Sequence, residues 1–316
     1  MKSISFTLVF FILISSNLFS QTLGNGEAGL SDKNPVKLDK PIRFSKYKNG
    51  TFIFVDFNNY AIRQVGLNGE ITTLFGGPNK KGFQDGKLDK AMFDGIHGVA
   101  YDKKNDVIYI ASASNNVVRK ITKENNEFQV KTIAGTPKEN GFADGDTDQA
   151  LFNSLHQILI NKDGSILVLD IGNAKIRKIK DGIVSSIVGK DSISPIQVDW
   201  KYPIDMAFDG DDIVICDAGN SSIYRLTPGK EIKKLQLDQP LKMPHGITSD
   251  NKGNLYIADM GDNAIYKIEN DKKVIKLEAT SQNGFENLNK PADVIIIDGV
   301  LWVADLYNHQ LKQQKL

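Results

Sequence analysis

Three of the chain's four histidines occupy one repeated position. His97, His156 and His245 each stand at the start of a predicted strand, directly after an isoleucine, a leucine or a proline. Three neutral imidazoles with a fourth position open to water are typical of a catalytic zinc site, in which the bound water becomes a nucleophile or base near neutral pH. If the three side chains turn inward, they predict a metal-dependent lyase or hydrolase.

The next position along the chain carries a polar side chain in four copies of the repeat. Arg43, Gln157, Asp205 and Asp293 occupy it. In an enzyme, Arg43 and the two aspartates would handle protons or substrate charge, and Gln157 is a candidate ligand-binding residue. A histidine beside them can equally bond a neighbouring carbonyl without any metal. These residues therefore leave two alternatives for the cofactor, none or zinc.

A sixfold repeat must position these side chains. Each copy has an apolar run, an aspartate or serine, and an asparagine or aspartate three residues later. The first polar residues of the copies are Asp56, Ser112, Asp170, Asp217, Asp259 and Asp305. A period of about 40–50 residues of strand-like sequence is typical of a β-propeller with one four-stranded blade per repeat. The aspartates are predicted to accept hydrogen bonds from loop N–H groups.

The residues after each aspartate or serine extend the strand pattern. The second strands are predicted over 51–56, 107–112, 166–170, 213–217, 255–259 and 301–305. In the first copy Ile62 opens the third strand, Arg63 is predicted on an exposed face, and the spacing of three to Val65 predicts a bulge. The last copy stops after its third strand, so residues 36–38 are predicted to complete that blade and close the ring.

The repeat resembles that of the NHL-repeat family, with its aspartate, its asparagine three residues later, and a basic or aromatic residue after the following apolar one. The resemblance covers residues 36–316. It implies an all-β fold: a six-bladed β-propeller of four antiparallel strands per blade, the last blade closed by an N-terminal strand. NHL propellers include protein-binding modules, extracellular sensor domains and a few enzymes, so function stays open.

A second resemblance concerns the histidines. Pro244-His245 resembles the Pro-His pairs that hold zinc in the peptidyl-α-hydroxyglycine lyase branch of these propellers, and His97 and His156 match by position. The resemblance implies zinc as a cofactor for these three residues.

Two long connections between blades copy each other. Residues 82–86 read Gly-Phe-Gln-Asp-Gly and residues 141–145 read Gly-Phe-Ala-Asp-Gly. Asp-Gly is a turn pair, and each phenylalanine can tuck its loop against the rim, which is a structural interpretation. In the functional interpretation the two matching loops form a wall along one side of the ring face on which the loops open. This face is called the top face below. The candidate ligand-binding residues are Phe83, Asp85, Phe142 and Asp144.

The N-terminal residues predict export. Lys2 precedes an apolar stretch over residues 6–14, as in a secretory signal, and this stretch is shorter than the roughly 18 residues of a membrane span. The chain is thus divided into a signal peptide (1–20), an N-terminal lead-in (21–35) and the propeller (36–316). It is expected in the periplasm or the secreted fraction, without a membrane span.

Composition narrows the class of partner. The 39 basic and 38 acidic residues nearly cancel, which predicts no nucleic-acid partner. The single cysteine, Cys216, cannot form an internal disulfide. The leading hypothesis is a monomeric, exported binding module that holds a protein, peptide or glycan with its top-face loops. The alternative is the metal-dependent enzyme.

Overall fold

The computed structural model describes residues 22–33, 36–189, 194–278 and 285–316. The predicted signal peptide, residues 1–20, lies outside these residues and stays a prediction. No helix within the described ranges is long and apolar enough to cross a membrane.

Six β-sheets account for nearly all the regular structure of the described residues. In chain order the strands are β1 (Thr22–Leu23), β2 (Pro41–Lys46), β3 (Phe52–Asp56), β4 (Ala61–Val65), β5 (Ile71–Gly76), β6 (Gly86–Lys87), β7 (Ile96–Asp102), β8 (Val107–Ser112), β9 (Val117–Glu124), β10 (Glu127–Ala134), β11 (Gly145–Asp146), β12 (Leu155–Ile160), β13 (Ile166–Asp170), β14 (Lys175–Lys180), β15 (Ile183–Gly189), β16 (Ile196–Gln197), β17 (Pro203–Asp209), β18 (Asp212–Asp217), β19 (Ser222–Leu226), β20 (Ile232–Lys234), β21 (Pro244–Ser249), β22 (Asn254–Asp259), β23 (Ala264–Glu269), β24 (Lys273–Lys276), β25 (Pro291–Ile297), β26 (Val300–Asp305) and β27 (Gln310–Lys315). Short 3-10 helices span Lys48–Gly50, Phe57–Asn59, Pro78–Lys80, Ile171–Asn173 and Leu306–Asn308.

The sheets are the six predicted blades. Blades 1 to 5 consist of β2–β5, β7–β10, β12–β15, β17–β20 and β21–β24, and blade 6 consists of β25–β27 with β1. The innermost strands β2, β7, β12, β17, β21 and β25 contact one another in that order, and β25 returns to β2. The chain is therefore a six-bladed β-propeller, as predicted.

The strand that closes the ring differs from the prediction. Thr22 pairs with Lys312 and Leu23 with Leu311, so β1 is the fourth strand of blade 6. The predicted closing segment, residues 36–38, instead leads into β2, with Leu38 fully buried. The burial of Leu38 agrees with the apolar pattern around it. The sequence did not show which segment pairs with the edge of β27 in blade 6.

The hydrophobic core lies between the blades. Ile62 packs with Ile110 of the next blade, whereas Val65 packs on the other face of its sheet with Trp302 of the previous one. The third strand of blade 1 pairs with the second in continuous register. Its pairing with the fourth strand shifts register between Ile62 and Arg63, so an irregularity does lie at the predicted position, with the extra residue, Leu74, on the fourth strand. A spacing of three also places one apolar side chain on each face of the blade, and both faces are buried.

The repeated aspartates have the predicted structural role. The Asp170 carboxylate is fully buried and accepts hydrogen bonds from the Asn153 N–H at 2.8 Å, Asn173 Nδ2 at 2.8 Å and Arg177 Nη1 at 2.7 Å. Four residues after each aspartate or serine the backbone adopts φ of 50° to 53° in all six blades, at Tyr60, Asn116, Ala174, Ser221, Asn263 and His309. Each copy thus forms one type of turn, called the ladder turn below.

The basic residue seven positions after the aspartate is buried rather than exposed. Arg63, Arg119 and Arg177 are 0%, 1% and 0% exposed. Arg63 pairs with Asp56 at 2.8 Å, in the same way as Arg177 pairs with Asp170. The prediction of an exposed face is wrong because the ladder aspartate supplies a buried partner for the cation.

We expect Asp170→Ala to lower the free energy of unfolding by about 3–5 kcal/mol, since it removes three hydrogen bonds and one buried partner of Arg177. The matched control is Asp211→Ala, which removes an ion pair to Lys162 whose side chains are 68% and 84% exposed. That change should cost less than about 1 kcal/mol. Urea unfolding measures both, and equal costs for the two variants would contradict the structural role of the ladder aspartate.

Candidate functional site

Each inner strand carries a β-bulge close to its first residue. The register breaks lie between Ile42 and Phe44, Ile96 and Gly98, Leu155 and Ile158, Pro203 and Asp205, Pro244 and Gly246, and Pro291 and Asp293. A bulge leaves one residue unpaired and changes the direction of its side chain. All the histidines and channel residues singled out by the sequence stand at or beside these bulges.

A cavity of about 190 Å³ lies where the bulges and the ladder turns meet on the top face. Its polar lining comes from Lys40, Arg43, His97, His156 and His245. Its apolar lining comes from Ile42, Phe57, Met260, Leu306 and Tyr307. The structure therefore brings the three predicted histidines and Arg43 together in one place, called the channel-mouth cavity below.

The rings of His97 and His156 pack against each other and against a neighbouring aromatic ring. The ring centroids of His97 and His156 are 4.0 Å apart with an interplanar angle of 29°, and Phe57 packs its ring against His97 at 4.7 Å. Gly98 makes this approach possible, because a Cβ atom there would lie 2.1 Å from the His156 carbonyl oxygen. His245 Nδ1 lies 2.7 Å from the Ala292 carbonyl oxygen and therefore donates to it, which leaves Nε2 as an acceptor.

All three imidazoles are neutral. Burial lowers the pKa of His97 to about 3, and the nearby charge of Arg43 lowers it further. The pKa of His245 is likewise about 3, for the same two reasons in the same order. Burial, with the neighbouring His97 and Arg43, lowers the pKa of His156 well below its usual value. A cation at this depth would lack water, so the uncharged form is favoured.

The ring arrangement does not fit a shared metal ion in this conformation. The nitrogen lone pairs of a stacked pair lie in two nearly parallel ring planes, so His97 and His156 do not direct nitrogens to one point between them. His245 uses Nδ1 for a carbonyl. Within the described ranges no group of three or more His, Cys, Asp or Glu is arranged to hold a metal ion. Zinc at these residues stays a prediction, and it requires at least one ring to turn.

The predicted carboxylates lie one layer deeper, in the central channel. Asp205 is fully buried and accepts from the Ile247 N–H at 2.8 Å and from Gln157 Nε2 at 2.7 Å. Asp293 accepts from the Phe44 N–H at 2.7 Å, across the seam between blades 6 and 1. These side chains bond one inner strand to the next, so the structure places them in the walls of the channel and not in the cavity.

Arg43 connects the two layers. Its Nη2 donates to the Ile204 carbonyl at 2.7 Å, and its Nη1 lies 3.4 Å from Asp205 and 3.9 Å from Asp293. Burial raises the pKa of both aspartates. The pKa of Asp293 lies well above its usual range, because the nearby charge of Asp205 adds to the effect of burial. The charge of Arg43 opposes both shifts. Arg43 holds φ at 41°, a conformation uncommon for a side chain of this size.

The two copied loops lie outside the cavity, against the third strands of blades 2 and 3. Asp85 pairs with Arg119 at 2.7 Å, and the Phe83 ring lies 4.9 Å from its guanidinium. In the second loop Asp144 pairs in the same way with Arg177 at 2.6 Å, and the Phe142 ring lies 4.8 Å from that guanidinium. These contacts agree with the structural interpretation of the loops. Their use in ligand binding stays a prediction.

A third copy of this loop escaped the sequence analysis. Gly29-Leu30-Ser31-Asp32 precedes blade 1, and Asp32 pairs with Arg63 at 2.8 Å. This copy has leucine where the other two have phenylalanine, and a shorter segment follows it. Its similarity to the other two copies is therefore weak in the sequence. The same segment explains why residues 36–38 lead into blade 1: they occupy the place that residues 91–93 have before blade 2.

Four of the five apolar residues that line the cavity were also missed. Phe57, Met260 and Leu306 each follow a ladder aspartate directly, and Tyr307 follows one residue later. The regular position after the aspartate was the available signal. His309, in the ladder turn of blade 6, accepts a hydrogen bond from the Lys40 N–H at 3.2 Å and lies 3.3 Å from Asp39.

The buried histidines predict a pH dependence of stability. Their pKa is about 6.5 in the unfolded chain and about 3 in the folded chain for His97 and His245. The unfolded state therefore binds more protons between these values. Each such histidine should make the free energy of unfolding fall by up to about 1.4 kcal/mol per pH unit as pH is lowered from 7 to 4. The buried aspartates with raised pKa, among them Asp56, Asp205 and Asp293, oppose this contribution, so it is measured as the difference between wild type and a histidine variant.

In His245→Asn the slope should be shallower, because one titrating group is gone while a donor to the Ala292 carbonyl remains. The matched control is His309→Asn, at a left-handed position that asparagine tolerates. Urea unfolding as a function of pH measures all three proteins. The assignment fails if His245→Asn retains the full wild-type slope.

Comparison with known proteins agrees with the repeat and the fold. No family model matches the chain. Human NHL repeat-containing protein 2 is 25% identical over 331 residues, an alignment that covers 84% of this chain and 44% of the relative. The chain spans less than half the length of the curated relatives it matches.

Solved structures share the fold at low identity. A catalytically inactive virginiamycin B lyase from Staphylococcus aureus, solved with quinupristin, superposes with a TM-score of 0.64 at 14% identity, covering 94% of this chain and 99% of that one. A gluconolactonase from Xanthomonas campestris superposes with a TM-score of 0.61 at 11% identity, covering 89% and 87% of the two chains. The chain is therefore a six-bladed β-propeller whose repeats are similar to those of NHL repeat-containing protein 2.

Proposed function

We propose that the protein is a binding module that takes a small ligand, or one end of a peptide or glycan, into the channel-mouth cavity. The observation that carries the proposal is a buried polar group without a partner: within the described residues His156 Nδ1 has no hydrogen-bond partner, although its residue is only 6% exposed. A buried, unpartnered polar atom is costly, and a ligand group in the cavity would supply its bond.

The rim of the cavity supports this proposal. Tyr202, Met243 and Tyr307 are large apolar residues that are 44%, 43% and 49% exposed. Tyr202 and Met243 directly precede the inner strands of blades 4 and 5, and Tyr307 lies in the ladder turn of blade 6. Exposed aromatic and methionine side chains are enriched at binding surfaces. The top face thus offers an apolar collar around a partly polar pocket.

The volume of the cavity indicates how much of a ligand it could enclose. Pockets that enclose a drug-sized molecule measure about 300–1,000 Å³, whereas this one measures about 190 Å³. The cavity is therefore matched to a compact molecule or to the terminal group of a longer one, with the collar contacting the remainder.

A metal-dependent lyase or hydrolase is the second candidate. It is favoured by the meeting of three imidazoles in one cavity and by the lyase and lactonase among the propellers of similar fold. Two observations favour binding instead. The stacked rings do not offer nitrogens to one ion, and a pKa of about 3 for His97 and His245 is far from that of an effective general base at neutral pH.

Filling the cavity should abolish binding. Leu306→Trp places an indole in the lining, whereas Leu67→Trp makes the same change at a residue that is 72% exposed in a turn of blade 1 away from the cavity. A library of small acids, amides, amines, sugars and short peptides would be screened by ligand-observed NMR. We expect wild type and Leu67→Trp to share hits that Leu306→Trp loses. Hits that persist in Leu306→Trp, or no hit from any class, would contradict the proposal.

Metal analysis separates the two candidates. The protein, never exposed to chelator, and His245→Ala would be analysed by inductively coupled plasma mass spectrometry before and after incubation with zinc. The binding proposal expects no stoichiometric metal in either protein. About one zinc ion per chain, lost in His245→Ala, would instead establish the three-histidine site and favour the enzyme.

A further inference from the structure

We propose that the ligand of the channel-mouth cavity is a compact carboxylate with an apolar body, either a free acid or the terminal carboxylate of a peptide. This inference rests on the proposed function and adds to it the chemistry of the ligand. Three features of the lining carry it: its charge, its unpartnered donor and its walls.

The charge of the lining is positive. Lys40 and Arg43 are its cations, the three imidazoles are neutral, and no carboxylate takes part in it. The nearest deep acids, Asp205 and Asp293, lie 3.4 Å and 3.9 Å from Arg43 Nη1 and offset part of its charge, but burial raises the pKa of both, which favours their uncharged forms. A carboxylate would therefore meet an attractive field, and an ammonium group would be repelled.

The acids on the rim are also engaged. Asp39 accepts a hydrogen bond from Asn58 Nδ2 at 3.1 Å. Asp262, in the ladder turn of blade 5, pairs with Lys242. Lys40, in contrast, has its ammonium 5.5 Å from the centre of the Tyr307 ring, at the lip of the cavity.

Arg43 supplies a free donor of the right kind. Its side chain is 1% exposed, and within the described residues neither Nε nor Nη1 has a hydrogen-bond partner. A guanidinium N–H can only donate, so the group that satisfies it must be an acceptor. Since charge-assisted bonds are the stronger ones, a carboxylate oxygen is the acceptor that gains most from Arg43 and Lys40 together.

The remaining walls require an apolar body. Ile42, Phe57 and Leu306 line the cavity beside the histidine rings. Polar ligand groups placed against these side chains would lose water without gaining a partner. A carboxylate directed toward Arg43, with an aromatic or branched aliphatic group against these walls, satisfies both parts of the lining.

The test uses matched probes on the full propeller. The probes are 3-phenylpropionate, 3-phenylpropanamide and phenethylamine, with an acetylated tripeptide ending in phenylalanine as the free acid and as the amide. Dissociation constants would be measured by ligand-observed NMR titration. We expect an acid to bind about tenfold or more tighter than its amide, and the amine not to bind. Binding by 3-phenylpropionate identifies a free acid as sufficient, and binding by the peptide acid alone identifies a peptide terminus.

Substitutions of the two cations test which of them binds the carboxylate. Lys40→Gln should weaken binding of the acid about threefold to tenfold. Lys46→Gln should leave it unchanged, because Lys46 is exposed at the far end of β2, the strand that Lys40 directly precedes. Arg43→Gln should reduce acid binding to the level of the amide. Because Arg43 also bonds the channel, its variant is interpreted only if its urea midpoint shows a folded protein, and Lys40→Gln decides the case otherwise.

The outcomes separate this inference from the proposed function. Equal affinity for acid and amide, both lost in Leu306→Trp, would overturn the carboxylate inference and leave a binding cavity. Binding of library members from other classes but of no acid would do the same. No binding by any probe or library member would overturn both.

Discussion

The buried ladder carboxylate is the interaction on which the rest of the structure depends. It stands at the end of a second strand and accepts N–H groups from the segment that leads into the inner strand of the same blade, as Asp217 does from Lys201 and Tyr202 and Asp259 from Lys242 and Met243. That bond fixes where each inner strand begins, and the bulge follows within one or two residues. The lining of the channel mouth is therefore set by five copies of one polar contact and, in blade 2, by Ser112 Oγ, which donates to the Asp94 carbonyl at 2.7 Å.

The channel beneath the cavity shows how polar residues can be buried without loss of order. Asp205 and Asp293 bond strands of neighbouring blades, and Arg43 lies between their charges. Charge buried in this way is acceptable when each oxygen has a donor. Among the described residues Arg43 Nε, Arg43 Nη1 and His156 Nδ1 lack a hydrogen-bond partner, and both residues line the cavity. Three other buried polar atoms without a partner, Arg63 Nε, Thr132 Oγ1 and Gln314 Oε1, lie in residues that do not line it. The grouping of Arg43 and His156 at one cavity supports the proposal of binding.

Much of the molecule follows from its repeat. Six copies at a blade-sized period predicted the propeller, the second strands to within one residue at either end, and the meeting of His97, His156 and His245. What failed involved contacts far apart in the sequence. The closing strand depends on which segment reaches the edge of β27, and the burial of Arg63 depends on Asp56 and Asp32 together. The sequence pattern around a residue does not reveal an interaction partner that comes from a distant segment of the chain.

The sequence by itself determined the number of blades, the strand order within blades 1 to 5 and the presence of the three histidines and Arg43 at the channel mouth, because these depend on periodicity and on alternation along single strands. Only the tertiary structure decided what those side chains do. The stacking of His97 on His156, the use of His245 Nδ1 by a carbonyl, and the position of Arg43 above two aspartates all arise between blades. Ring closure sets these distances, and through burial it makes the imidazoles neutral.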